Sequence, residues 1–481
     1  MKWNKVILIA ATLITAIGAG TYFYMKNAGN AYLNVLPDNA VGMARIDVKT
    51  FLDEAEMTVA DCVKSLEKSQ DVDVQKIGLD LSRPAYAFAS ASGNFGFVAS
   101  MDDEDDFASL CSDLHNLGRA STIVHQRGYS WVILEQQWLC AFDGTLALVM
   151  GPAVGAAQDQ LRNEMARLLK QDKEDSGLKT KMFAELRRKE GSVVAVVGPE
   201  ILPAKARVLL YKFDITTTDD ALLRLHLSAD KNVLSMNTEV VAMKDEVKEQ
   251  LRLLGKTLRP IKGELLSRAH DSTIAWLGMN IEGRKLLDML RSVKKVRLSL
   301  AAMNLVLDLD RIIEAIDGDV AIEMTPSTNS SRRDPLLSYL SGMNLSARVA
   351  NTDFFKGAAS WGNSLVGVKE EGHNEYFLSW GEHGFYLGVD GGILYAGDQK
   401  VQTKDGNPLL NNAKGHIKGA HLYASFSIPD LLNNLYGLQS LPEIVRKFES
   451  MTLEMRKPDQ LFIELKAPEG TLIAKELLTN E

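Results

Sequence analysis

The feature that most constrains the fold of this chain is a pattern that occurs twice along it. An apolar run, an Asp-Gly pair and a second apolar run follow one another in residues 138–151, WLCAFDGTLALVMG, and in residues 385–397, FYLGVDGGILYAG. Phe107 and Phe354 lie upstream in similar segments, and they are separated by the same number of residues as Asp143 and Asp390. A repeat on this scale predicts two copies of one structural unit.

Further features recur in the same order on both sides of this pattern. They are the strand–helix segments that begin at Ala44 and Leu277, those that begin at Val194 and Ala424, and the hairpin segments 223–236 and 452–465. We therefore expect two tandem similar halves, residues 32–262 and residues 263–481. The halves should superpose with Ala44 on Leu277 and with Val194 on Ala424.

The periodicity of the apolar residues indicates the fold class. Residues 95–102, FGFVASMD, and 345–352, LSARVANT, alternate with a period of two, as half-buried strands do. Each precedes a segment with an acidic residue in or before a first helical turn, where the helix dipole favours negative charge. We expect an α+β fold of antiparallel meander sheets with helices packed on one face, plus one N-terminal transmembrane helix.

The first 31 residues predict a signal anchor and a short linker. Lys2 and Lys5 precede residues 6–25, which contain no charged side chain. Twenty helical residues at about 1.5 Å rise each cover roughly 30 Å, the thickness of the hydrocarbon core of a bilayer. We expect a single-pass inner-membrane protein with the bulk of the chain in the periplasm. The alternative is a signal peptide cleaved within residues 29–31, which leaves an exported soluble protein.

The charge of the chain limits its partners. Lys and Arg number 54 and Asp and Glu number 62, for a net charge of -8, and no long basic run is present. A nucleic acid partner is not expected, because phosphate backbones are bound by clustered positive charge. The expected partners are the membrane, through residues 6–25, and an envelope protein or a glycan.

Asp143 and Asp390 are interpreted as turn residues. The Asp-Gly pair tolerates the positive φ that tight turns between antiparallel strands need. A catalytic aspartate, by contrast, has no reason to recur with the same neighbours in both halves.

The other polar groups also fit structural roles. The acidic run at 102–106 lacks the spacing of a calcium loop, and acids are favoured at a helix N-terminus. His373 and His383 flank one predicted strand, and His416 and His421 flank another, but no third ligand follows at a recognisable spacing. No catalytic, cofactor-binding or metal-binding residue is therefore expected, and no cofactor.

The three cysteines, Cys62, Cys111 and Cys140, do not make a disulfide framework. Cys62 and Cys111 lie in helical patterns and can form a disulfide if those helices are neighbours. The alternative is that the cysteines are buried reduced thiols, which behave as small hydrophobic side chains.

Three segments resemble a known family. They are residues 32–55, YLNVLPDNAVGMARIDVKTFLDEA, residues 77–90, IGLDLSRPAYAFAS, and residues 93–110, GNFGFVASMDDEDDFASL. They are similar to uncharacterised cell-envelope proteins of Bacteroides-type bacteria, an exported or lipoprotein-like family known only as a domain of unknown function. Its members open with a short phrase that here consists of Tyr32, Leu36, Pro37, Asp38 or Asn39, and Ala40. The resemblance implies no activity and no catalytic residues, and the lipoprotein cysteine of many relatives is not present here.

The function expected from these features is that of a non-catalytic, membrane-anchored extracytoplasmic envelope protein that acts as an interaction or binding module. The alternative is an extracytoplasmic hydrolase, or a glycan- or small-molecule-binding protein, with a site between the halves. Titratable residues clustered in a deep cleft would favour the hydrolase. A shallow cleft lined with aromatic side chains would favour the binding protein.

Overall fold

A computed structural model describes residues 30–58, 61, 77–202, 204–211, 214–292, 297–298, 300–301, 304, 307–326, 342–362, 366–380, 383–397, 407–411, 413–434 and 443–479. The predicted membrane span at 6–25 and Cys62 lie outside these residues. Among the residues it does describe, no helix is both long and apolar enough to cross a bilayer.

The strands of the first part of the chain are β1 (Ala40–Ile46), β2 (Ala85–Ser90), β3 (Phe95–Ser100), β4 (Val124–Gln126), β5 (Tyr129–Leu134), β6 (Trp138–Phe142), β7 (Leu146–Gly151), β8 (Val193–Val197), β9 (Ala221–Asp230) and β10 (Val233–Ala242). The later strands are β11 (Leu258–Arg259), β12 (Ala275–Glu282), β13 (Ile316–Met324), β14 (Met343–Val349), β15 (Gly367–Gly372), β16 (Glu375–Trp380), β17 (His383–Asp390), β18 (Ile393–Gly397), β19 (Leu422–Ser427), β20 (Ser450–Lys457) and β21 (Gln460–Lys466).

The α-helices are α1 (Val48–Glu54), α2 (Glu104–Asn116), α3 (Ala156–Leu169), α4 (Lys181–Leu186), α5 (Ala204–Tyr211), α6 (Asp245–Thr257), α7 (Gly283–Ser292), α8 (Leu309–Ala315), α9 (Pro408–Asn411), α10 (Lys414–Ile417), α11 (Ile428–Asn434) and α12 (Ile473–Thr479). Short 3-10 helices cover Asn30–Val35, Lys173–Asp175, Gly177–Lys179, Pro199–Ile201, Leu266–Arg268, Asp353–Ser360 and Glu443–Lys447.

The chain divides into two compact units. The first comprises Met1–Arg207, Thr216–Met243 and Glu469–Glu481, and the second comprises Val208–Ile215 and Lys244–Pro468. Helix α6 therefore belongs to the second unit and α12 to the first. The bounds 32–262 and 263–481 stay predictions from the sequence.

The described strands of the first unit pair antiparallel throughout. Their order across the sheet is β4-β5-β6-β7-β3-β2-β1-β8-β9-β10. Strands β4 to β7 form a meander, since each pairs with the next one along the chain.

In the second unit the strand order is β15-β16-β17-β18-β14-β13-β12-β19-β20-β21, again antiparallel. The short β11 pairs with the end of β12. Strand for strand, this order is that of the first unit. Antiparallel sheet with several helices confirms the α+β class.

The expectation that helices pack on only one face is wrong for the first unit. Leu139 and Ala141 of β6 lie in the core that also contains Met165 of α3. Phe142 points to the opposite face, where its ring centroid lies 5.0 Å from that of Phe107 of α2. The reason is visible in β6 and β7, whose residues are all buried. Unbroken apolar runs are typical of strands covered on both faces.

Candidate functional site

Asp143 lies in the turn from β6 to β7, as predicted. Its Oδ1 accepts hydrogen bonds from Thr145 N at 2.7 Å, Thr145 Oγ1 at 2.6 Å and Leu146 N at 3.0 Å. The positive φ that was expected at the Asp-Gly pair is not found, because Gly144 is not among the glycines with positive φ. The Asp143 carboxylate itself organises the turn, as aspartate does when it bonds the backbone two residues on.

Asp390 also lies in a turn, but of a different kind. It ends β17 and pairs with Ile393 of β18 across a two-residue turn. The two turn residues, Gly391 and Gly392, have φ of 57° and 76°. This pair of positive φ values is the hairpin geometry that glycine favours. Asp390 itself faces solvent and pairs with Arg268 at 3.3 Å.

The acidic run at 102–106 begins a helix. The side chain of Asp103 accepts a hydrogen bond from Asp106 N at 3.0 Å and caps α2, and the three acids that follow occupy its first turn. Negative charge at this position interacts favourably with the helix dipole. Within the described ranges, no three His, Cys, Asp or Glu side chains are placed to hold a metal ion.

Two of the four histidines flank a described strand as predicted, and two do not. His373 and His383 flank β16, as expected. His416 and His421 do not flank a strand, because His416 lies in α10 and Gly419, with φ of 87°, turns the chain before β19. His416 Nδ1 is 3.8 Å from Glu454 Oε2, and burial lowers the pKa of His421.

Cys111 of α2 and Cys140 of β6 are buried free thiols. Burial raises the pKa of Cys111 to about 12 and raises that of Cys140 well above its usual value. Neither is a thiolate nucleophile at neutral pH, since the thiolate is the reactive form. The alternative of a Cys62–Cys111 disulfide is not supported, because Cys111 is a free thiol; Cys62 itself lies outside the described residues.

A Ser-His-Asp set that the sequence analysis did not single out lies just before β12. Ser272 Oγ is 2.7 Å, and Asp271 Oδ1 is 2.8 Å, from the same Nδ1 of His270. A nucleophile–base–acid relay needs the serine and the carboxylate on opposite ring nitrogens. The set instead closes a local turn, which Glu323 anchors by accepting from His270 N at 3.0 Å and Thr273 Oγ1 at 2.9 Å.

The strongest constellation of polar groups lies on the sheet of the first unit. Arg45 of β1 is opposite both Tyr86 of β2 and Val194 of β8. Val194 is opposite His226 of β9, and His226 is opposite Asn237 of β10. Residues opposite each other on neighbouring strands project from the same face of a sheet. We call Arg45, Tyr86, His226 and Asn237 the polar row.

The polar row lies on the face that carries the core of the first unit. Met43, two residues before Arg45, is buried in that core, and side chains two apart on a strand share a face. Phe183 of α4 packs on Tyr86, with ring centroids 6.2 Å apart. Arg187 caps the C-terminal end of α4. Tyr86 of the row therefore lies against α4, close to the end of that helix.

The backbone after α4 passes closely over the histidine of the row. A Cβ atom added to Gly191 would lie 2.1 Å from His226 Nε2. Only glycine allows this approach, because any side chain at position 191 would displace the imidazole.

Two cations near Tyr86 have no carboxylate partner among the described residues. Burial raises the pKa of Tyr86, while Arg45 and Arg187 lower it, so both guanidinium groups act on the phenol. In the part of the chain that the structure describes, neither arginine forms an ion pair. There, too, the Nε of Arg45 is buried and has no hydrogen-bond acceptor.

Arg224 lies two residues before His226 on β9 and therefore projects from the same face of the sheet, but its charge is neutralised. Arg224 donates to Glu185 Oε2 and to Glu239 Oε2, both at 2.5 Å. Glu185 also binds Arg188, at 2.7 Å. These carboxylates are engaged by other arginines, so the positive charge of the polar row stays uncompensated and suits an anionic ligand.

One signal in the sequence points to this row. Arg45 follows Met43 by two residues, at an inward position where the alternation of β1 calls for an apolar side chain. A charged residue at such a position is a candidate for function. The other members of the row cannot be found in this way, because they come from strands distant in sequence.

A family model described as a domain of unknown function, DUF4836, matches residues 59–425, more than half of the chain. The chain belongs to this family. The expected resemblance to an uncharacterised family is therefore confirmed. The Bacteroides-type source and the envelope location stay predictions.

Comparison with solved structures gives distant matches. The structures of crystal forms IV, I and III of TP0453 align with TM-scores of 0.27, 0.28 and 0.29 and with 13%, 12% and 12% identity. They cover 43%, 48% and 50% of this chain and 79%, 87% and 92% of the matched chains. Scores this low carry no argument about function. No curated protein matches the chain.

Proposed function

We propose that this protein is a non-catalytic binding module of the cell envelope. Residues 6–25 anchor it in the inner membrane, and residues 32–481 lie in the periplasm. Two lysines followed by twenty uncharged residues support this orientation, because positive charge is retained on the cytoplasmic side.

We also propose that the two units are copies of one fold. Cys140 and Leu387 each stand three residues before the turn aspartate of their unit. From Cys140 the strand register leads through Val149, Phe97 and Ala87 to Ala44. From Leu387 it leads through Ala396, Leu345 and Ile322 to Leu277. These end points are the two residues that the sequence pattern matches. The path is independent of that pattern and crosses four strand pairings in each unit, so it supports the duplication.

The remaining elements support the same proposal with one adjustment. Ala44 is opposite Ala195, and Leu277 is opposite Ala424, so Ala424 corresponds to Ala195 rather than to Val194. In the first unit α12 lies against α1, and in the second α6 lies against α7. Helices α1 and α7 follow equivalent strands, so each unit is completed by an equivalent helix.

One observation carries the binding role, namely that the polar row is specific to the first unit. Under the register equivalence, the positions of Arg45, Tyr86 and His226 correspond to Gly278, Ala321 and Glu454 in the second unit. The equivalent row, which also contains Tyr423, has no arginine and no histidine, and the same strand order forms. The row is therefore not a requirement of the fold, and binding is the role that its uncompensated charge supports.

The test is the stability of the double variant Arg45→Gln/Arg187→Gln. Side chains kept for binding commonly reduce stability, and removal of two neighbouring positive charges relieves their repulsion. We expect the midpoint of urea-induced unfolding to stay the same or to rise. A marked fall in the midpoint would make the row structural and would remove the observation that carries the proposal.

The location is tested by fractionation of cells that express the full chain. Retention of residues 6–25 predicts an intact chain in the inner-membrane pellet that resists salt and carbonate. It also predicts digestion by added protease only after the outer membrane is opened. A soluble periplasmic form that begins near Tyr32 would contradict the membrane anchor. It would not affect the binding role proposed for the polar row.

A further inference from the structure

We propose that the polar row and Arg187 form a binding site for a phosphate group. The site rests on the geometry of the first unit and on the proposed binding role, and it does not depend on the membrane anchor. It consists of the guanidinium groups of Arg45 and Arg187, the hydroxyl of Tyr86 and the imidazole of His226.

The register places three of these groups on one line of the sheet. Arg45 is opposite Tyr86 on one side and Val194 on the other, and Val194 is opposite His226. Neighbouring strands lie roughly 4.8 Å apart. Tyr86 and Arg45 are on adjacent strands, and Arg45 and His226 are two strand spacings apart. The arginine therefore stands between the two rings, with only the short side chain of Val194 in the gap.

The surroundings hold the site in place. Tyr32 donates its hydroxyl to Pro84 O at 2.9 Å and packs edge-on against Tyr86, with centroids 6.3 Å apart. Tyr86 is thereby confined between Tyr32 and Phe183. On the other side, the backbone at Gly191 confines His226. Because these side chains are already confined, a ligand that binds them does not have to meet the entropy cost of ordering them.

The charge of the site favours phosphate over a carboxylate ligand. Two guanidinium groups supply a charge of about +2. Three carboxylates near the row are engaged by other arginines: Asp80 pairs with Arg83, Glu185 with Arg188 and Arg224, and Glu239 with Arg224. A phosphate group carries about −1.5 to −2 charges at neutral pH and accepts hydrogen bonds in several directions. A carboxylate carries one negative charge and lies in a plane, so it would leave one guanidinium uncompensated. Arginine also matches phosphate oxygens with paired donors.

The experiment is calorimetric titration of the full chain in maltoside micelles with inorganic phosphate. We expect saturable binding that Arg45→Gln weakens at least about tenfold, because charged hydrogen bonds are the strong ones. Arg45→Lys keeps the charge but loses the paired donors, so its affinity for phosphate should lie between those of the wild type and Arg45→Gln. Arg119→Gln is the matched control, since this arginine of the same unit pairs with Glu135 away from the row, and it should bind as wild type does.

The source of the phosphate is decided by a second ligand, the water-soluble lipid dihexanoyl phosphatidic acid, whose phosphomonoester headgroup carries more than one negative charge at neutral pH, as inorganic phosphate does. Competition between this lipid and inorganic phosphate would assign the site to a lipid headgroup, and binding of phosphate alone would assign it to a free phosphate. Acetate that binds as tightly as phosphate would overturn the phosphate assignment. So would phosphate binding that is absent, or equal in wild type and Arg45→Gln. If Arg45→Gln/Arg187→Gln is as stable as wild type in that case, the proposed binding role survives with another ligand.

Discussion

Arg224 and Glu185 form a buried ion pair in the first unit, with Nη1 and Oε2 2.5 Å apart and side chains only 8% and 9% exposed. The pair joins β9 to α4, and Glu239, opposite Arg224 on β10, accepts a second hydrogen bond. Two carboxylates therefore depend on one buried guanidinium.

The first prediction follows from this dependence. Arg224→Met should lower the free energy of unfolding by about 3–5 kcal/mol, because it leaves Glu185 and Glu239 without their shared partner in a low-dielectric site. Arg188→Met is the control. Arg188 binds the same Glu185 but its side chain is 65% exposed, so the loss should not exceed about 1 kcal/mol. Urea-induced unfolding followed by circular dichroism measures both, and equal losses would show that burial does not set the strength of these pairs.

The second prediction concerns two glycines with similar backbone angles. Gly78 has φ of +70°, and an added Cβ would lie 2.1 Å from Asp103 O and 2.6 Å from Phe107 N. Gly93 has φ of +86° and open space around it. Gly93→Ala should lower the free energy of unfolding by about 1–2 kcal/mol, because alanine is strained in the left-handed backbone conformation. Gly78→Ala should cost about 2 kcal/mol more, because it also pushes against the first turn of α2. Similar melting temperatures for the two variants would contradict this account.

The third prediction tests the turn at Asp143. Asn keeps an oxygen that can accept the bonds from Thr145 and Leu146, so Asp143→Asn should change the free energy of unfolding by less than about 0.5 kcal/mol. Asp143→Ala removes the acceptor and should cost about 1 kcal/mol or more. If Asp143→Asn abolishes phosphate binding or another biological activity while the fold stays intact by circular dichroism, the turn interpretation fails.

The fourth prediction concerns the pH dependence of stability. Burial raises the pKa of Glu323 above its usual range. A carboxyl whose pKa is higher in the folded chain binds more protons when folded. Its contribution to stability is therefore largest below the unfolded pKa of about 4.3 and falls as the pH rises through the folded pKa.

Glu323→Gln removes this titration while keeping an oxygen that can accept from His270 N and Thr273 Oγ1. Relative to wild type, the variant should gain stability as the pH is raised from about 4 to about 7. Unfolding curves at several pH values measure the difference. A difference that does not change with pH would mean that the pKa of Glu323 is the same in the folded and unfolded chains.

The fifth prediction concerns the cysteines. The raised pKa of Cys111 and Cys140 and their burial predict that neither thiol reacts with iodoacetamide at pH 8 until the chain unfolds. After unfolding without reductant, labelling of both residues is expected, because both are free thiols. Labelling of Cys140 alone would establish the Cys62–Cys111 disulfide.

Local features of this protein follow from the sequence because they depend on neighbours along the chain. The strands on either side of Asp143 and Asp390, the cap at Asp103 and the antiparallel class all come from alternation and turn chemistry within a few residues. The unbroken apolar runs of β6 and β7 are typical of strands covered on both faces, but the prediction followed the alternating strands and expected helices on a single face.

Only the tertiary structure decides which strands become neighbours and in what register. A shift of one residue moves every side chain of a strand to the other face, and composition does not determine that shift. The polar row arises in this way, because Arg45, Tyr86 and His226 are far apart in sequence and meet only through the order β2-β1-β8-β9. The sequence places Arg45 two residues after Met43 on one face of β1, whereas the packing of the sheet decides that this face is inward and which other groups Arg45 meets.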